Sequence, residues 1–111
     1  MQSQILFPKE ERLKGELTIP NNSFNTDSIN LILDWIQKYN DALNVAENEL
    51  ESIGTEIIYS KTVLPENRRI KQGSQIGSGK FGYFSLFHIL KKYKEALKSA
   101  EQQIQKMELW K

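Results

Sequence analysis

A chain of 111 residues can build one hydrophobic core but is too short for two, so a single domain over 1–111 is expected. Its 39% apolar and 26% charged residues are the balance of a soluble globular domain, and the lack of cysteine excludes disulfides, thiolate metal sites and a cysteine nucleophile, which fits a cytoplasmic setting. The formal charge of +1 conceals a division: residues 1–56 hold 4 Lys/Arg against 10 Asp/Glu, and residues 57–111 hold 11 against 4. Complementarity inside the fold is the first expectation, ahead of complementarity between copies or an anion held by the basic half.

In chain order, the opening Met1–Pro8 has neither a basic flank nor a long apolar region, so no secretory signal is expected. Glu16–Ile19 alternates weakly and stops at Pro20, and Asn21-Asn22-Ser23 is a turn-type cluster. A helix is then predicted from the spacing of Ile29, Ile32, Ile36, Tyr39, Leu43, Ala46, Leu50 and Ile53, with Asn25, Thr26 or Asp27 as N-cap and Gly54 as terminator. Glu56–Leu64 is β-branched and aromatic between Gly54 and Pro65, which makes it the best strand candidate. Gln72–Gly82 holds four glycines and reads as a loop or irregular hairpin. A second helix follows on the same rhythm: Tyr83, Leu86, Leu90, Tyr93, Leu97, Ala100, Ile104 and Met107.

Each series is an unbroken heptad seam, the pattern of helices packed lengthwise, as in a coiled coil. Ile36, Tyr39 and Leu43 are expected to meet Leu90, Tyr93 and Leu97. The helices also match residue by residue. Lys38–Leu43 reads onto Lys92–Leu97 at a shift of 54, and Phe7–Lys14 reads onto Leu64–Lys71 at a shift of 57. An internal repeat, approximately 1–54 and 55–111, is therefore expected. The fold class is α+β or mostly α, with two long paired amphipathic helices, antiparallel like the arms of a helical hairpin, and a small strand or hairpin region over their wide ends. Leu33, Trp35, Phe84, Phe87 and Ile89 widen the apolar stripe there, to be covered by the chain's own strands or by a second copy in a homodimer.

Ile76–Tyr83 contains G-x-G-x-x-G and resembles the glycine-rich loop of protein kinases over those eight residues alone. No strand lysine, catalytic aspartate or metal-binding aspartate accompanies it, and the kinase reading is rejected. The dinucleotide reading fails because the chain twenty residues on is helical, and a Walker loop fails on spacing and on Phe81 in place of Ser or Thr. What remains is an anion-binding candidate. Gly77, Gly79 and Lys80 lead into a helix N-terminus, where free N–H groups and the helix dipole favour negative charge, and Arg68, Arg69 and Lys71 lie just upstream.

His88 is the sole histidine and has no neighbouring ligand set, so no metal site is expected, and pairing it with Ser85 gives a nucleophile and base without an orienting acid. Asp34, Asp41, Glu47, Glu49 and Glu51 sit off the seam, as a solvated face should. No complete catalytic constellation emerges and no cofactor is implied. The expectation is a non-enzymatic protein-binding module, such as an adaptor, an immunity protein or a small inhibitor of a larger protein, probing a partner or itself through a charge-divided surface. The competing expectation is a binder of a phosphate-bearing ligand, nucleic acid or nucleotide, at the basic loop.

Overall fold

The computed structural model describes residues 1–15, 26–69 and 83–109. It is mostly helical: α1 is Gln2–Leu6, α2 is Thr26–Ser52, α3 is Tyr59–Val63 and α4 is Tyr83–Leu109, with 3-10 turns at Lys9–Glu11 and Glu66–Arg68. No strand occurs among the described residues. The strand expected over Glu56–Leu64 is replaced by α3, while Glu16–Ile19 and the glycine-rich Gln72–Gly82 lie outside the described residues.

The heptad arithmetic accounts for the two long helices. Each has 27 residues, or about 40 Å at 1.5 Å per residue. Ile32, Ile36, Leu43 and Leu50 of α2 are buried together with Leu86, Leu90, Leu97 and Ile104 of α4 in one core cluster. Tyr39 and Tyr93, and the alanines Ala46 and Ala100, complete it. Removing a Leu or Ile side chain from water contributes about 1.5–3 kcal/mol, so this stripe dominates the stability of helices that would be marginal alone. Leu33, Trp35 and Phe87 pack against the cluster from its edge, and Ile89 lies inside it.

Helix α2 ends as Gly54 predicts. Gly54 adopts φ 76°, Gly54 N donates to Glu51 O (3.0 Å) and Thr55 N donates to Leu50 O (3.1 Å). This double closure is a Schellman cap and needs a left-handed residue at its turn.

Hydrogen bonds fix the direction of the pair. Gln2 N donates to Glu49 Oε1 (3.0 Å) and the adjacent Ser3 Oγ donates to Glu101 Oε2 (2.5 Å), so late turns of both long helices meet one short helix. Tyr93 OH donates to Asn40 Oδ1 (2.9 Å), which sets the register at mid-length. Antiparallel helices in that register would hold Glu49 and Glu101 roughly 25 Å apart along the axis, too far for neighbouring residues to span. Gln103 Nε2, near the end of α4, likewise donates to Glu56 O just past the end of α2 (2.8 Å). The helices pack side by side as in a hairpin but run parallel, which corrects the antiparallel expectation. A heptad seam is compatible with either direction.

Candidate functional site

The segments before the two long helices are built alike and each reaches across to the helix of the other half. In the first, Phe7 N closes α1 on Ser3 O (2.9 Å), Pro8 starts a 3-10 turn, and Arg12 Nε returns to Phe7 O (2.9 Å). The Arg12 fork then lies on Glu101 of α4, Nη1 to Oε1 at 2.5 Å and Nη2 to Oε2 at 2.8 Å, with Ser3 Oγ on Oε2. In the second, Leu64 N closes α3 on Ser60 O (2.9 Å), Pro65 starts the turn, and Arg69 Nε returns to Leu64 O (3.0 Å). Arg69 lies on Glu47 of α2, Nη1 to Oε1 at 2.5 Å and Nη2 to Oε2 at 2.8 Å, and Ser60 Oγ adds a bond to Oε2 (2.6 Å). Proline fixes φ at the head of each turn, and the turn brings the guanidinium back over the carboxylate.

Glu47 and Glu101 are 5% and 6% exposed, so Glu47 is not part of a solvated face as its off-seam position suggested. Burial pushes the Glu47 carboxyl up. Hydrogen bonds from Arg69 and Ser60 outweigh it and hold the pKa below the ordinary value of 4.5. The arginine is correspondingly raised by its partner. Tyr39 shifts upward through burial, against a hydrogen bond from Leu13 N (2.9 Å) and the charge of Arg12. Each carboxylate thus accepts three hydrogen bonds, two from Arg and one from Ser, which use most of its acceptor sites. Phe7 anchors the first segment by an edge contact with Tyr39 (4.9 Å between centroids) and a tilted one with Trp35 (6.3 Å).

These placements redistribute the residues singled out in the sequence. The seam residues Ile36, Tyr39, Leu43, Leu90, Tyr93 and Leu97 are all buried in the shared core. Of the anion-binding set, Arg69 has its guanidinium engaged by Glu47, Arg68 is exposed, and Lys71, Gly77, Gly79 and Lys80 lie outside the described residues. His88 is exposed, and Ser85 is among the side chains that are not described. Among the described residues no three His, Cys, Asp or Glu side chains gather as a metal site would require, and no helix is long and apolar enough to cross a membrane.

A cleft lies beside each Arg–Glu pair, and here the likeness between the halves ends. The cleft of about 380 Å³ beside Arg12 is lined by Lys9, Lys94, Lys98 and Gln105. The cleft of about 440 Å³ beside Arg69 carries Glu66, Asn40, Asn44 and Glu51 at the corresponding positions. Lys9, Lys94 and Lys98 on one side thus stand where the other has Glu66, Asn40 and Asn44, and the second cleft also holds Lys61, paired with Glu66 (3.3 Å). The basic cleft shares Leu13, Lys94 and Lys98 with a larger cavity of about 560 Å³, whose apolar floor is Leu13, Phe87 and Leu90. Neither cleft was visible in the sequence, although the shift of 54 aligns Asn40 with Lys94 and Asn44 with Lys98 and contained the signal.

Comparison with known proteins adds no family: no family model, no curated protein and no solved structure matches this chain.

Proposed function

We propose that this chain is a non-enzymatic protein-binding module. The observation that carries the reading is the open, apolar-floored cavity rimmed by Lys91, Lys94 and Lys98 with the acid Glu95, on a scaffold whose buried ionic groups are already paired. Partner surfaces combine apolar anchor pockets with charged rims that steer association. The engagement of Glu47 and Glu101 supports a non-enzymatic role, since each carboxylate is held in a buried ion pair by Arg and Ser donors. The module acts as an adaptor or an inhibitor of a larger protein, in the cytoplasm, with self-association as a further mode. Cross-linking in an extract of the native host, followed by light scattering of the purified complex, should return one stoichiometric protein partner. A protein that stays alone and monodisperse at every concentration overturns this reading.

The second reading, a phosphate-bearing ligand at the basic loop, keeps support from the exposed Arg68 and from the same lysines. Because Arg69 is engaged by Glu47, the variant that tests it is Arg68→Ala with Lys80→Ala. Nucleotides or short oligonucleotides should raise the melting temperature of the parent chain in a salt-sensitive way and leave that variant unmoved.

A further inference from the structure

The two halves hold the same apparatus where the fold needs it and different charges where it does not. Ser3, Pro8, Arg12 and Glu101 have their counterparts in Ser60, Pro65, Arg69 and Glu47, with matching hydrogen bonds. Around that apparatus, Lys9, Lys94 and Lys98 on one side face Glu66, Asn40 and Asn44 on the other. Packing does not demand the differences at Lys9, Lys98, Asn44 and Glu66, which are solvent-exposed, whereas Asn40 and Lys94 also bond within the fold, to Tyr93 OH and Gly15 O. Among the described residues, the basic side continues into a cavity with an apolar floor.

We infer that the track from Lys9 and Lys98 to the cavity floored by Phe87 and Leu90 is the partner-binding face, and that it takes an acidic protein segment carrying apolar anchor residues. The inference rests on the protein-binding reading above and names the chemistry of the partner. Lys98, Lys94 and Lys91 recur at intervals of four and three along α4, so they form one helical face about two turns long. Among the described residues, Glu95 is the one acid lining the cavity, and it lies 3.8 Å from Lys92 Nζ. A segment with carboxylates at similar spacing meets that face while an aromatic or leucine side chain enters the cavity. Charge decides which cleft is used: in the opposite cleft Lys61 is paired with Glu66 (3.3 Å), and Asp41 and Glu51 remain to disfavour an acidic segment. Lys94 also ties this face to the first segment, through Nζ donating to Gly15 O (2.5 Å). That contact makes Lys94 a poor position for a test.

The test uses the full chain and a fluorescein-labelled amphipathic peptide with Glu on one helical face and Leu and Phe on the other. Controls are the same peptide with Lys for Glu, the same with Ser for Leu and Phe, and vesicles containing phosphatidylserine. Fluorescence anisotropy should show saturable binding of the acidic, apolar peptide and at least tenfold weaker binding of both altered peptides. The double variant Lys9→Glu with Lys98→Asn installs what the opposite cleft carries. It should weaken binding at least tenfold with an unchanged melting temperature, whereas Lys61→Glu in the opposite cleft should leave binding unaltered. Equal binding by parent and double variant, tighter binding to the vesicles, or a dimer seen by light scattering that the peptide does not disperse would each overturn the inference. A host protein captured equally by parent and double variant would sink the inference and spare the protein-binding reading. Failure of both capture and peptide binding would sink both.

Discussion

Glu47 carries a charge that water barely reaches, and its surroundings determine what removing a partner costs. With side chains 6% and 8% exposed, Glu47 and Arg69 form a buried pair. Removing one partner strands the other, at a cost of about 3–5 kcal/mol. Arg69→Ala should therefore lower the stability read by urea denaturation by about that amount. Arg12→Ala should cost a similar amount, because Glu101 would be left in the same position. Replacing both members, as in Glu47→Leu with Arg69→Met, should recover most of the loss, since apolar isosteres need no counter-charge. The pH profile follows from the same group. A carboxyl with a depressed folded-state pKa stabilises fully above its unfolded value, and that contribution fades as pH falls through the folded value. The urea midpoint should thus begin to drop below about pH 4.5, with a shallower acid limb in Glu47→Gln. At the other end, the raised pKa of Tyr39 means the unfolded chain ionises first, so stability is lost as pH climbs past about 10 and Tyr39→Phe should flatten that limb.

At the level of elements, the long helices were legible and their direction was not. The recurrence of Ile36, Tyr39 and Leu43, and of Leu90, Tyr93 and Leu97, states which faces bury, because only a period near 3.5 keeps a stripe on one side. Direction is decided by contacts far apart in sequence, such as Ser3 with Glu101, which periodicity cannot encode. Spin labels on cysteines introduced at Asn48 and Gln102 should therefore lie closer together than labels at Asp34 and Gln102, which parallel helices offset by roughly 21 Å. The opposite order would mark an antiparallel pair. Helix α3 was misread as a strand because Ile57, Ile58 and Val63 favour extended backbone locally, whereas Ser60 and Leu64 are drawn into the core by Glu47 and the α4 surface. Aligning Ser3–Phe7 with Ser60–Leu64 would have suggested that both adopt one conformation. The candidate site was less legible still, since a cleft depends on how the two halves are placed. Packing also predicts a contrast between positions. Leu43→Ala and Leu97→Ala should each cost about 2–5 kcal/mol by denaturation, and Leu31→Ala, at 46% exposure, under about 1 kcal/mol.

For the whole molecule, the reciprocal arms couple the halves. Each short helix is held by the long helix of the opposite half, so neither half retains its buried ionic pair if the other opens. Unfolding followed by far-UV circular dichroism and by tryptophan fluorescence should therefore give coincident transitions, and a separate early transition in either signal would contradict this coupling. Where the segments 1–15 and 59–69 and the two long helices correspond, Lys9 and Lys98 differ from Glu66 and Asn44 on the exposed surface.

The parallel course of α2 and α4 also has a mechanical side. Ser3 bonds to Glu101, eight residues before the last turn of α4 closes at Leu109, so residues 1 and 109 are near the same end of an elongated body. A pull applied between those two points peels the first arm away like a zip, breaking Ser3 and then Arg12 from α4 one after another, before the long helices themselves bear any load. In an optical trap the molecule should yield in two steps, a small low-force extension as the arm lifts and then a larger one as the helices part.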